Sequence, residues 1–291
     1  MSYPSVTLPI DVADGLVMAP TEARQLGAML HADFEGAQPF PHTVLEDFLP
    51  PSVLAQALAG FPAGAQVSDG VFEAGYAGLH KRQIMPEDSN QAARELFWFL
   101  NSRPMLQFLE GLTGIEALLP DPYFLGGGYH ETTRGGMLGV HADFRIHAQL
   151  HLQRRLNLII YLNEVWDEAW LGHLELWSRD MRTCMARVSP LLNRCVVFRT
   201  DADTWHGHPD PLQTPEGVAR RSLALYYYTA SRAIRSEVPD KDTVYVARPQ
   251  DLPAVQREAN QLRAWETLRD WTPPLLYRQL TRLRWRLAAR R

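Results

Sequence analysis

Apolar and polar positions follow two different periods along the chain, and the change falls near residue 120. Before it, apolar residues recur at helical spacing. TEARQLGAMLHADFEG (21–36) predicts one short helix of good helix formers, with Gly36 placed as its C-cap. PFPHTVLEDFLPPSVLAQALAGFP predicts a strand over HTVLEDFL, a Pro-Pro break, and an amphipathic helix over 52–61. SNQAARELFWFLNSRPMLQFLEGLTG predicts a further helix interrupted at Pro104. After residue 120 short strands and turns take over. The glycine-rich FLGGGYHETTRGGMLGVHADF leads into RLNLIIYLNEVW, which is apolar and β-rich, and HLELWS alternates in period two. RCVVFRT and RRSLALYYYT are further strands, separated by Asn, Asp, Gly and Pro clusters. Strands at this spacing predict a sandwich or jelly roll. From about 250 the pattern is helical again, ending in the basic RQLTRLRWRLAARR, a solvated helix face.

Composition narrows the class without naming an activity. The chain has 291 residues, 46% of them hydrophobic, enough for one large core, or for a core plus a small appended lobe. A net charge of −4 argues against a nucleic-acid or anionic-membrane partner. MSYPSVTLPIDVADG has no basic n-region followed by an apolar h-region, and no apolar run reaches the roughly 18 residues that span a bilayer. Two cysteines, Cys184 and Cys195, fit reduced thiols rather than a disulfide scaffold. A cytoplasmic location is expected.

One tetrapeptide carries candidate chemistry twice: HADF at 31–34 and again at 141–144. On a strand, a His and an Asp two residues apart point to one face and can grip one metal ion. On a helix the same pair stands about 200° apart and cannot. The first copy falls at the end of a predicted helix, so His31 and Asp33 are not expected to share a ligand. The second copy opens the β-rich region, and DADTWHGHP downstream offers His206 and His208. Two histidines and a carboxylate on a β-scaffold make a facial triad that leaves iron positions open. Downstream, RRSLALYYYT begins with two arginines that alternation aims at opposite faces, and RLNLIIYLN puts Asn157, Ile159 and Tyr161 on one face.

The run HADF…RLNLIIYLNEVWDEAWLGHLELW…RCVVFRTDADTWHGHP…RRSLALYYYT resembles the iron(II)- and 2-oxoglutarate-dependent oxygenases, and within them the prolyl-hydroxylase branch. The likeness spans roughly 120–230, and more faintly 39–120 through PFPHTVLEDFL. It implies a double-stranded β-helix (a cupin-like jelly roll) packed against N-terminal helices, with Fe(II), 2-oxoglutarate and O2 as cofactors and cosubstrates. The family's ligands map onto His141, Asp143 and His206, the last following a Thr-aromatic pair; His208 is the alternative and otherwise reads as a turn residue before Pro209. The cosubstrate's distal carboxylate maps onto Arg220, because Arg220, Ser222, Ala224 and Tyr226 match the family's alternating strand. Arg221 is then left at the rim, with Leu223 and Leu225 against the helices.

By the same resemblance, Tyr161 before Leu-Asn bonds that carboxylate, Asn157 serves the other end of the cosubstrate, and Tyr129 lines the pocket. The presence of Asp143 favours hydroxylation over halogenation. His130, Arg134, Trp166 and Trp170 are expected on loops near the mouth, and His147 and His151 on the strand after the triad pair. The domain scheme is an extension over 1–38, a dioxygenase domain over 39–235, and a helical extension over 236–291. The expected activity is a hydroxylase for a small-molecule substrate. The alternatives are a peptide or protein prolyl hydroxylase and a non-catalytic cupin-like binding protein.

Overall fold

The structure is a computed structural model that describes residues 3–62, 78–230 and 243–271. It begins with α1 (Pro20–Met29) and α2 (His31–Gly36) rather than one continuous helix. The break falls at Leu30, so the first HADF opens a second helix instead of closing the first. Gly36 is its last helical residue, and Ala37 takes the cap position. β1 (His42–Leu45) and α3 (Pro51–Ala59) follow, with Pro50-Pro51 separating strand from helix. After β2 (Leu79–Ile84), α4 (Gln91–Leu100) and α5 (Arg103–Thr113) divide the long apolar stretch between them. Pro104 sits in the first turn of α5, where its missing N–H costs nothing. Asn90 caps α4 by accepting from Ala93 N.

All strand pairings within the sheets are antiparallel. The strands after α5 are β3 (Leu119–Pro120), β4 (Gly128–Ala142), β5 (Gln153–Tyr161), β6 (Leu174–Trp177), β7 (Cys184–Val188), β8 (Cys195–Arg199), β9 (His206–His208), β10 (Arg220–Thr229) and β11 (Val244–Tyr245). One sheet runs β1-β8-β5-β10-β4 with β2 beside β4, and the other runs β4-β9-β6-β7 with β11 on β4. β4 therefore belongs to both. Its first half pairs with β10 and its second half with β9, around an irregularity that includes Gly135 and Gly136. Gly135 adopts φ +77°, and a Cβ on Gly136 would meet backbone oxygens at under 3 Å. These glycines let one strand turn the corner of the jelly roll.

Period two divides the major sheet cleanly. Leu156, Leu158, Ile160, Leu223, Leu225 and Tyr227 join the helices in the larger core. Tyr161, Val196 and Phe198 face inward, packing with Leu174 and Leu176 from the minor sheet. Leu8, Met18, Ala23 and Phe34 belong to the same larger core, so residues 3–38 are packed continuously with the sheet. The C-terminal segment departs from a purely helical appendage. It adds β11 to the minor sheet before α6 (Pro253–Trp271), with Ala259 packed on Met137. The basic stretch 278–291 lies outside the described residues. No described helix is long and apolar enough to cross a membrane.

Candidate active site

β4 and β9 are hydrogen-bonded neighbours, and their register sets His141 opposite His206. Asp143 follows just beyond the end of β4. His141 Nε2 lies 3.6 Å from Asp143 Oδ1 and His206 Nε2 lies 3.4 Å from Asp143 Oδ2. One ligand atom from each of the three falls within 4.8 Å of the others. The far ring nitrogens fix the tautomers. His141 Nδ1 donates to Gly139 O at 2.8 Å and His206 Nδ1 donates to Thr204 O at 3.0 Å. A carbonyl only accepts, so Nδ1 carries the proton of the neutral ring, and its lone pair is then on Nε2, facing the carboxylate. Two neutral imidazoles and one carboxylate suit iron(II) by donor type.

Charge around Asp143 keeps it ionised. Burial opposes ionisation, but the neighbouring Arg154 guanidinium outweighs it and holds the carboxyl well below its usual range. Arg154 NH2 stands 3.1 Å from Asp143, and Asn157 Nδ2 donates to Asp143 Oδ2 at 2.7 Å. Arg154 also donates to Asn157 Oδ1, and its guanidinium lies 3.5 Å over the Tyr226 ring. Burial, then the neighbouring His141, push His206 down to about 4. The imidazole is thus already in its metal-binding form at neutral pH.

A cavity of about 350 Å³ opens in front of these groups. Arg220, Ser222, Ala224 and Tyr226 all line it, while Leu223 and Leu225 sit in the helical core, as the alternation expected. Arg220 is buried, donating to Gly172 O at 2.8 Å and to Tyr161 Oη at 3.0 Å. Arg221 faces outward and pairs with Glu131 at 2.8 Å. Asn157 lines the cavity too, with its amide committed to Asp143 and Arg154.

Some expectations need correction. Tyr129 does not line the cavity: it pairs with Leu223, packs on Phe61 and Phe97, and donates to Ala57 O at 2.8 Å. The sheet alternation gives its neighbour His130 the cavity face instead, opposite Ser222. His130 and Arg134 are strand residues rather than loop residues, and Arg134 donates to Thr214 O away from the cavity. Trp166 and Trp170 pack on each other, outside the lining. His147 and His151 occupy the turn before β5, where His147 meets Asp121 at 3.2 Å. His208 is a buried strand residue lining the cavity, two places beyond His206, and not a turn.

Arg154, Lys81 and Tyr245 are among the cavity residues that lay outside the expected set. Arg154 escaped because a register irregularity between Tyr227 and Tyr228 leaves Arg155 without an opposite partner. Strict period two would have given Arg155 the face of Asn157. Lys81 on β2 was legible only by pairing, since HKRQI alone does not say which face is inward. Tyr245 on β11 sits beside His141 with ring centroids 5.2 Å apart.

Comparison with known proteins adds the family. Residues 127–228 match the 2OG-Fe(II) oxygenase superfamily. A prolyl hydroxylase from Trichoplax adhaerens, solved with a hypoxia inducible factor peptide fragment, is similar in fold. It has 14% identity and a TM-score of 0.50 over 75% of this chain and 96% of that one. A Pseudomonas putida prolyl-4-hydroxylase shows 19% identity, covering 70% and 99% of the two chains at a TM-score of 0.44. HygX from Streptomyces hygroscopicus, solved with nickel and 2-oxoglutarate, shows 11% identity over 69% and 92% at 0.46. No protein of curated function matches the chain.

Proposed function

Because residues 127–228 are a domain of the 2OG-Fe(II) oxygenase superfamily, whose members use Fe(II), 2-oxoglutarate and O2, we propose that this dioxygenase hydroxylates an unactivated C–H bond of a small metabolite or natural-product intermediate. The balance is R–H + O2 + 2-oxoglutarate giving R–OH, succinate and CO2. His141, Asp143 and His206 are the residues that hold the iron. The bound metal and cosubstrate supply the oxidising chemistry, and the protein supplies orientation and exclusion of water.

Each role follows from position. Arg220 neutralises the distal carboxylate of 2-oxoglutarate, a task for which a buried guanidinium that stays charged is suited. Tyr161, already hydrogen-bonded to Arg220, and Ser222, next on the same face, fix the angle of approach. Asn157 and Arg154 both hold Asp143 Oδ2, which locks the rotamer that sets the carboxylate between His141 and His206.

The observation that carries the substrate half is the C-terminal wall. β11 pairs with Ala142 and His141, and Thr243 and Tyr245 line the cavity directly beside the ligand set. A strand laid along that edge narrows the approach and favours a compact molecule over an extended peptide. The test is a panel of small metabolites and proline-containing peptides, scored by succinate release together with product gain of one oxygen atom. Turnover of small molecules is expected. Turnover of peptides alone would overturn the substrate half and leave the cofactor half standing.

A further inference from the structure

The ligand set and the cosubstrate leave one wall of the cavity unused. β10, β4 and β2 lie side by side, and their register puts Arg220, Thr132 and Lys81 in one row. Directly opposed residues of antiparallel strands share a face. The next row, Ser222, His130 and Gln83, obeys this rule, with all three lining the cavity.

The first row is short of acceptors. Lys81 is 9% exposed and Thr132 1%. Among the described residues no hydrogen bond or ion pair engages the Lys81 ammonium. Thr132 Oγ1 and both ring nitrogens of the buried His208 also lack hydrogen-bond partners. A buried polar group left unsatisfied carries an uncompensated desolvation cost, and a charged one a larger cost. Lys81 and His208 line the cavity and Thr132 lies in the row between Lys81 and Arg220, so these unpartnered groups are the inverse of a ligand. Burial and the nearby Arg220 bring Lys81 down to about 8, which leaves it cationic at neutral pH.

Charge sets the sign of that ligand. Among the described lining residues the fixed charges are Lys81, Arg154 and Arg220 against Asp143 alone. Arg154 is matched by Asp143, and one monovalent carboxylate of the cosubstrate matches Arg220. Lys81 remains. Its backbone stands two strand spacings from Arg220, about 9–10 Å, so a second anion fits beside the first instead of sharing it.

We propose that Lys81, with Thr132 and His208, binds an anionic group of the substrate, making this an oxygenase of small carboxylic acids or phosphate esters. The assignment rests on the proposed function and adds the substrate's charge to it. Enzyme loaded with Mn(II) and 2-oxoglutarate is offered small carboxylates and phosphate esters alongside their uncharged amides and alcohols. Melting temperature is read on that enzyme, and succinate release on the Fe(II)-loaded enzyme in the presence of O2. Charged members alone are expected to raise either signal, and Lys81→Met is expected to weaken them at least tenfold, with Lys81→Arg retaining most of the effect. The affinity of either variant for 2-oxoglutarate should stay within about twofold, by calorimetry.

A preference for the uncharged compounds, no binding by any acid, or full binding of acids by Lys81→Met overturns the proposal. A tenfold loss of 2-oxoglutarate affinity in Lys81→Met also overturns it, and gives Lys81 to the cosubstrate. Should the unaltered Mn(II) enzyme fail to bind 2-oxoglutarate at all, the proposed function itself falls, and this inference with it.

Discussion

The same four residues, HADF, sit at 31–34 on a helix and at 141–144 at the end of a strand. Around the first copy, His31 donates from Nδ1 to Leu112 O at 3.0 Å and Asp33 is exposed in the first turn of α2. Only Phe34 is buried. Around the second copy, His141 is buried and Asp143 meets His141, His206, Arg154 and Asn157. Identical side chains therefore serve packing in one place and converge in the other. The backbone period decides, because only a strand returns residue i+2 to the face of residue i. Composition of the motif decides nothing.

The comparison breaks most sharply under alanine. His141→Ala or Asp143→Ala should abolish activity and Mn(II) binding, since each removes one of three candidate ligands. His31→Ala and Asp33→Ala should leave activity within a few-fold. Calorimetric Mn(II) titration and succinate release check this. Equal losses from both copies, in folded protein, would show that the helical copy also serves the site.

How far the sequence reaches follows from the same contrast. The strand register was legible where alternation ran unbroken: Arg220, Ser222, Ala224 and Tyr226 went to the cavity and Leu223 and Leu225 to the core. It failed where the ladder did. Arg154 replaces Arg155 on the cavity face because of a register irregularity, and nothing in QRRLN marks it. Tyr129 was misplaced by one residue, since matching a family tyrosine to GGGYH ignored the pairing that gives His130 the inner face. The C-terminal wall was invisible, because β11 is two residues long and its meaning lies in its partner, β4. Short strands carry no period to read.

The two arginines at the head of β10 repeat the lesson within one strand. Arg220→Ala should strand a buried carboxylate without its counter-charge, costing roughly 3–5 kcal/mol of cosubstrate binding. At about 1.4 kcal/mol per tenfold, that is a loss on the order of 100-fold or more. Arg221→Ala should cost less than about 1 kcal/mol, because it is half exposed and Glu131 keeps Arg82 at 2.6 Å. Titration of 2-oxoglutarate against both variants separates them. A crippled Arg221→Ala beside a sound Arg220→Ala would reverse the assignment.

What surrounds the second copy, and not the first, is a set of partners that hold the carboxylate still. Asn157→Ala removes the 2.7 Å bond to Asp143 and the acceptor for Arg154. Metal affinity is expected to fall about 10- to 100-fold, in line with the loss of groups that orient a ligand. Activity should return in part at high Fe(II), which distinguishes a loosened ligand from a missing one. Full insensitivity of metal affinity would mean that Arg154 alone fixes Asp143.

The smallest effect belongs to the helical copy and is one of stability. His31 joins α2 to α5 through a single bond to Leu112 O, and its ring lies against Gly114, which takes φ +67° to end α5. His31→Ala removes that bond and the ring contact, while Phe34 keeps its place in the core. A net hydrogen bond is worth about 0.5–1.5 kcal/mol, and the partly exposed site lets water take up the carbonyl. The loss should therefore be about 1 kcal/mol, seen as a fall of roughly 2–4 °C in melting temperature for a domain of this size. Asp33→Ala should cost less, since an exposed charge in a first helical turn contributes about 0.3–1 kcal/mol. Adding saturating Mn(II) and 2-oxoglutarate should raise both variants by the same increment as the unaltered enzyme, because a ligand shared by all three stabilises all three equally. A smaller increment in His31→Ala would mean that the α2–α5 junction reaches the active site, and the two copies of HADF would no longer be independent.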